Sequence, residues 1–157
     1  MNVQIPRRII TFWFAVAALT GAFAADAKPA SSIPSAALIQ PADLAASLKD
    51  GNSPRPLILQ IGFKVLFAEA HISGAEYVGP GGQDEGIQAL RSRVARLPKD
   101  APIVLYCGCC PWTRCPNVAA AYDELHALGF ANVKVLYIAE NFGADWVERG
   151  YPTDKGR

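Results

Sequence analysis

The sequence predicts an α/β fold with a mostly parallel central sheet and helices on both faces. Short apolar runs typical of buried strands occupy residues 57–61 and 103–106, and residues 133–137 predict a third strand. Segments with helical patterning lie between them, and this alternation of strand and helix is typical of βαβ units. A chain of 157 residues suits a single domain, because domains average roughly 100–200 residues. In such sheets reactive groups gather at the carboxyl ends of the strands.

The first 24 residues have the pattern of an export signal. Arg7 and Arg8 form a basic start, and residues 9–23 are apolar and almost uncharged. Ala22-Phe23-Ala24 then fits a signal peptidase site. The apolar run is shorter than the ~20 residues that a spanning helix needs. We therefore expect cleavage before Ala25, export to the periplasm or beyond, and no permanent membrane span.

The segment after the signal predicts a linker followed by a helix. Residues 25–35 are rich in Ala, Ser and Pro, which predicts a flexible tether and places the folded domain at residues 36–157. Pro41 suits the first turn of a helix that places Leu44 and Leu48 on one face.

A second helix is predicted between the first two strands. Apolar residues at helical spacing form its inner face: Ile87, Leu90, Val94 and Leu97. Pro98 ends this pattern. The opposite face carries Arg91, Arg93 and Arg96. We interpret these arginines as a solvated face without a specific partner.

The remaining elements follow the strand at residues 103–106. Residues 117–128 predict a helix, and Gly129 stands at its C-cap position. Trp146 and Val147 indicate a final short helix after the third strand. The composition suits a packed domain, with 51% hydrophobic residues and a formal net charge of +1. That near-neutral charge argues against nucleic-acid binding.

The four cysteines lie within nine residues: Cys107, Cys109, Cys110 and Cys115. Cys107 directly follows a predicted buried strand, and a predicted helix begins just after Cys115. Backbone N–H groups and the positive end of a helix dipole stabilise a thiolate at such a place. Both effects lower a cysteine pKa from its usual ~8.5. Thiol catalysis is therefore our preferred interpretation of this loop.

Two other interpretations of the loop stay open. The thiols are also suited to a structural or redox disulfide, and to a soft metal such as Cu(I) or Zn²⁺. Zinc is less favoured because structural zinc sites use separated ligand pairs and this loop contains no histidine. A bridge between neighbouring Cys109 and Cys110 is strained. In oxidised protein we expect one of them to bridge to Cys115, with Cys107 left free.

Several segments resemble the rhodanese-like sulfurtransferase family. Residues 103–107 are similar to the strand that delivers its catalytic cysteine, and residues 70–75 (AHISGA) resemble its Gly-His-Ile-Pro-Gly-Ala signature. Residues 129–133 and 146–152 resemble its C-terminal half. The similarity covers residues 36–153 in the expected order. It implies a rhodanese-like fold with about five mostly parallel strands.

The sequence also departs from that family. Gln60 and Gly62 replace the Asp and Arg of its Ile-Asp-Val-Arg strand, and the loop after Cys107 is about five residues longer than the usual compact loop. In the family the compact loop surrounds the cysteine sulfur with backbone N–H groups. The resemblance therefore supports the family's fold more strongly than it supports thiosulfate:cyanide activity.

The resemblance implies a sulfurtransferase with Cys107 as the catalytic nucleophile, which carries sulfur as a persulfide. Together with the signal pattern, this predicts an exported enzyme. The donor is expected to be a small sulfur-containing anion, and the acceptor a thiol or a protein. Arg114, Gly108 and Trp112 are the predicted substrate-binding residues. Cys109, Cys110 and Cys115 are accessory thiols that protect, resolve or receive the sulfur. No cofactor or metal is implied.

The alternatives are a non-enzymatic carrier of soft metal or sulfane sulfur and a thiol redox protein. Trp112 either anchors the loop in the core or lines the substrate entrance. Of the two histidines, His71 is expected to hold backbone by hydrogen bonds and His126 to face solvent.

Overall fold

The computed structural model describes Met1 and residues 33–50 and 54–156. Apart from Met1, the predicted signal segment lies outside the described residues. In chain order the strands are β1 (Leu38–Ile39), β2 (Leu57–Gln60), β3 (His71–Ile72), β4 (Glu76–Tyr77), β5 (Ile103–Tyr106), β6 (Val133–Leu136) and β7 (Thr153–Asp154). The α-helices are α1 (Pro41–Lys49), α2 (Lys64–Glu69), α3 (Asp84–Val94) and α4 (Pro116–Ala127). Short 3₁₀ turns occupy Ser35–Ala37 and Trp112–Arg114, and a π-helix occupies Gly143–Val147.

The central sheet has five parallel strands in the order β1-β6-β5-β2-β4. This confirms the predicted mostly parallel sheet. Strand β5 is the middle strand, so the residue that follows it, Cys107, emerges at the centre of the sheet's carboxyl edge.

The two faces of the sheet are covered by different helices. Alternate strand residues such as Leu59, Leu105 and Val135 belong to a core that includes residues of α3 and α4. Their neighbours Ile58 and Val104 pack with α1, α2 and the π-helix on the other face. Because successive side chains of a strand point to opposite faces, strands buried on both sides are continuous apolar runs. Helices on both faces are thereby confirmed.

Element boundaries differ from the expected ones by a few residues. Helix α3 ends at Val94, and the chain turns over residues 95–97 instead of continuing as a helix to Leu97.

Ile33 is 5% exposed and packs in the core. The core of the described residues therefore includes residue 33, three residues before the predicted domain start. Among the described helices, none is long and apolar enough to cross a membrane.

The arginines of α3 have partners, so our interpretation of a partnerless face was wrong for two of them. Arg91 forms a two-point ion pair with Glu124 of α4, at 2.6 and 2.9 Å. Arg93 forms a second with Glu76 of β4. A single-helix pattern contains no information about the carboxylates of neighbouring elements. Exposed pairs of this kind add little stability but fix the lateral position of α3.

A small antiparallel pair, β3–β7, lies apart from the main sheet. The Asp154 carboxylate accepts hydrogen bonds from Ser73 Oγ and Gly74 N–H, both at 3.1 Å. The Gly156 N–H donates to the Ala68 carbonyl of α2 at 2.9 Å. The indole N–H of Trp146 donates to the Pro152 carbonyl at 3.0 Å. Residues 152–156 thus connect α2 to the π-helix.

Candidate active site

Cys107 lies at the carboxyl end of β5 and is only 2% exposed. Gln60, at the end of the neighbouring strand β2, donates from Nε2 to the Cys107 carbonyl at 3.0 Å. Its Oε1 accepts the N–H of Gly62 at 3.3 Å. A Cβ at position 62 would lie 2.8 Å from the Cys107 sulfur and 2.8 Å from Gln60 Nε2. Gly62, which stands where the family has an arginine, therefore leaves room for the Cys107 sulfur.

Asn117, in the first turn of α4, points its amide at the sulfur. Its Nδ2 donates to Cys107 Sγ at 3.4 Å. The Oδ1 of the same amide accepts the N–H of Gly82 at 2.8 Å. A backbone N–H needs an acceptor, so this bond fixes the amide with its NH₂ group toward the sulfur. The side chain is buried, and its orientation favours a negative charge on Cys107.

The other thiols surround Cys107. Cys109 Sγ lies 3.3 Å from Cys107 Sγ and 3.3 Å from Cys110 Sγ. Cys115, the N-cap residue of α4, is 3% exposed. The sulfurs of Cys107, Cys109 and Cys115 all lie within 4.8 Å of one another. All four thiols are free, and the expected bridge to Cys115 stays a prediction about oxidised protein.

These contacts give the thiols of the loop different pKa values. The Cys115 thiol, the Asn117 amide and the Cys109 backbone N–H all donate hydrogen bonds to Cys107, and they lower its pKa to about 6 against the opposing effect of burial. Burial and the neighbouring sulfurs raise the pKa of Cys109 to about 12. The pKa of Cys115 is also raised, first because its thiol donates to Cys107 and then by burial. Cys107 is therefore the thiolate of the cluster near neutral pH.

A cleft of about 560 Å³ opens over Cys107. The carboxyl ends of β2 and β5, helix α2 and the π-helix form its walls, which are largely apolar and include Leu66, Tyr106 and Phe142. Glu69 and Glu148 are the charged residues among the described residues that line it. The cleft has room for a small organic group beside the sulfur, and its charged groups are negative.

The structure brings one of the three predicted substrate-binding residues to the cleft. Gly108 lines it at a φ of +88°, where a Cβ would lie 2.9 Å from Phe142 Cβ. Trp112 and Arg114 are not among the lining residues. The Trp112 side chain packs against the core and lies 6.2 Å from the Tyr137 ring, which fits the loop-anchoring interpretation. Arg114 is exposed on the 3₁₀ turn.

The histidines have the expected structural placements. His71 is buried, donates from Nδ1 to the Phe67 carbonyl at 2.7 Å and stacks on the Phe67 ring. His126 is exposed beside Tyr122.

Sequence analysis missed the roles of Asn117 and Gln60. Asn117 carried a usable signal: it is the polar residue on an otherwise apolar inward face that includes Val118, Ala121 and Leu125. An amide at such a position needs a buried partner. Gln60, by contrast, stands out in the sequence only as a departure from the family strand.

The domain is of the parallel α/β class, and Cys107 stands at the carboxyl end of its middle strand, where reactive groups gather in such sheets. The family model for the rhodanese-like domain matches residues 40–137. The chain therefore belongs to the rhodanese-like domain family.

Solved structures agree on the fold. The rhodanese-like domain of an Anabaena sp. protein is 24% identical, with a TM-score of 0.55, and the match covers 76% of this chain and 79% of that one. The BH2092 protein from Bacillus halodurans is 23% identical, with a TM-score of 0.56 and coverages of 74% and 75%. A rhodanese-like domain protein from Staphylococcus aureus is 14% identical, with a TM-score of 0.51 and coverages of 76% and 98%. No curated protein matches the chain.

Proposed function

We propose that the protein is an exported sulfurtransferase that carries sulfane sulfur as a persulfide on Cys107. The observation that carries this proposal is the buried Cys107 sulfur at the floor of the cleft, which accepts the hydrogen bond of the fixed Asn117 amide. Membership of the rhodanese-like family supports sulfurtransferase-type chemistry.

The transfer divides into two displacements. The Cys107 thiolate attacks the sulfane sulfur of the donor and forms an S–S bond. The bond between that sulfur and the rest of the donor breaks, and the donor remnant leaves with the electron pair. An acceptor thiolate then attacks the outer sulfur, and Cys107 leaves as a thiolate. The hydrogen-bond donors that lower the pKa of Cys107 also make it a good leaving group in this second step.

The shape and charge of the cleft support further parts of this proposal. Cys109 lines the cleft beside Cys107, but its raised pKa makes it a poor nucleophile, so the proposed acceptor is a thiolate that enters the cleft from outside. The glutamates of the cleft oppose a small dianionic donor, and Arg114 does not offset them because it lies outside the lining residues. A donor bearing an uncharged organic group fits the apolar walls better. We therefore propose such a donor, whereas the sequence alone led us to expect a small sulfur-containing anion.

Intact-protein mass spectrometry tests the persulfide. Reduced protein incubated with an organic persulfide is expected to gain about 32 Da, the mass of one sulfur atom. Cys107→Ser removes the thiolate and is expected to lose the gain entirely. Cys110→Ser, in the same loop, is the matched control and should retain it. A Cys107→Ser protein that gains sulfur at the wild-type rate, or a wild type that never gains it, would refute the proposal.

Export is tested separately from catalysis. If the signal pattern functions as proposed, protein recovered from the cell envelope begins at Ala25. Sequencing the N-terminus of the expressed full chain measures this. Recovery of all of the protein in the cytoplasm with Met1 intact would show that the export part of the proposal is wrong.

A further inference from the structure

Three sulfur atoms of the cysteine loop converge on one point in the molecule. The Sγ atoms of Cys107, Cys109 and Cys115 all lie within 4.8 Å of one another. Each comes from a different element: the end of β5, the following loop and the N-cap of α4. Sulfur transfer needs one nucleophile and at most one acceptor, and in it the Cys115 sulfur serves only as a hydrogen-bond donor to Cys107.

We propose that these three thiols form a binding site for one soft monovalent cation, Cu(I). The three candidate ligand atoms of this group are sulfurs, and soft thiolates select Cu(I) over harder ions. Structural zinc sites almost always have four ligands. Cys110 is not in the group, although its sulfur lies 3.3 Å from that of Cys109. Three converging thiolates without a fourth protein ligand suit three-coordinate Cu(I).

The surroundings of the three sulfurs fit a bound cation. The positive end of the twelve-residue helix α4 faces a cluster that is anionic when it holds a metal. Asn117 supplies the outer-shell hydrogen bond to the Cys107 ligand at 3.4 Å. Two of the ligands are buried and Cys109 is exposed, which gives the ion access from the surface.

Metal binding here involves no redox step. Cu(I) enters and leaves as Cu(I), and the thiols release their protons to solvent as the three Cu–S bonds form. The site shares Cys107 with the proposed sulfurtransferase, so a bound ion and a persulfide exclude each other. The two proposals are otherwise independent.

Anaerobic competition of the full chain with a chromogenic Cu(I) chelator tests the site. Reduced wild-type protein is expected to withdraw one Cu(I) per chain. Loss of any one of the three ligands, in Cys107→Ser, Cys109→Ser or Cys115→Ser, is expected to weaken binding about 100-fold or more, beyond the effect typical of outer-shell changes. Cys110→Ser is the matched control and should bind as the wild type does. X-ray absorption at the copper edge should report three sulfur neighbours.

Since Cys107 and Cys115 are buried, thermal denaturation checks that those variants fold, and exposed Cys109 gives a variant free of that concern. Equal weakening in Cys110→Ser, nitrogen or oxygen neighbours at the copper, or preferential binding of Zn²⁺ by the same thiols would overturn the Cu(I) site. Protein that gains sulfur but withdraws no Cu(I) refutes this inference alone. Protein that binds Cu(I) but never gains sulfur refutes the sulfurtransferase alone.

Discussion

Asn117→Asp is expected to suppress the reactivity of Cys107 while leaving the fold intact. The new carboxylate still accepts the Gly82 N–H, which the native Oδ1 accepts at 2.8 Å. It no longer donates to the sulfur, and it places a negative charge where the amide NH₂ lies 3.4 Å from Cys107 Sγ. Both changes disfavour the thiolate, so the pKa of Cys107 rises from about 6.

The pH dependence of Cys107 alkylation by iodoacetamide measures this effect. The rate follows the thiolate, so it rises with pH and levels off above the pKa. In the wild type the midpoint should lie near pH 6, and in Asn117→Asp it should lie at a higher pH. At a pH below both midpoints, the variant is expected to react about tenfold more slowly than the wild type. Asn141→Asp is the control: it adds the same charge to the cleft and retains the bond from the Ala144 N–H. Equal midpoints in Asn117→Asp and wild type would contradict the role given to Asn117.

Gly62→Ala is expected to abolish most sulfur transfer through a single added methyl group. Its Cβ would stand 2.8 Å from the Cys107 sulfur, 2.8 Å from Gln60 Nε2 and 2.9 Å from the Cys107 carbonyl. The sulfur and the Gln60 amide must both move, and misplacing a reactive atom by ~1 Å costs about 100-fold in rate. The rate of persulfide formation on Cys107, measured by mass spectrometry, is expected to fall by about that factor.

Gly143→Ala supplies the comparison for that experiment. Gly143 also lines the cleft, but a Cβ there meets only the end of the Asn141 side chain, at 3.0 Å. That side chain is exposed, so it accommodates the added methyl group by a small shift and keeps its hydrogen bond from the Ala144 N–H. A Gly62→Ala protein as fast as Gly143→Ala would mean that the sulfur does not need the space beside Gly62.

The parts of the fold that were predictable from sequence are those that the local pattern determines. Strands β2, β5 and β6 are largely buried and largely apolar, with Gln60 and Lys134 as their polar residues. Helix α4 is bracketed by Pro116 and Gly129. Strands β1, β3, β4 and β7 have two residues each. Strands that short exist only through their pairing partners, so no periodicity could reveal them.

In the site, too, local pattern was predictable from the sequence and contacts between distant elements were not. The place of Cys107 followed from its position after a buried strand. Its hydrogen bond to Asn117 and the proximity of Cys115 depend on how α4 packs against the sheet, which sequence spacing does not encode. Arg114 and Trp112 were assigned to the substrate because they share a loop with Cys107. The path of that loop instead directs Trp112 toward Tyr137 and Arg114 into solvent.

The segment 152–156 has a mechanical consequence for the cleft. It is hydrogen-bonded to Ala68 of α2 on one side and to the Trp146 indole of the π-helix on the other. Residues of both helices line the cleft over Cys107, so the C-terminal segment ties together two elements of the cleft wall from outside the sheet.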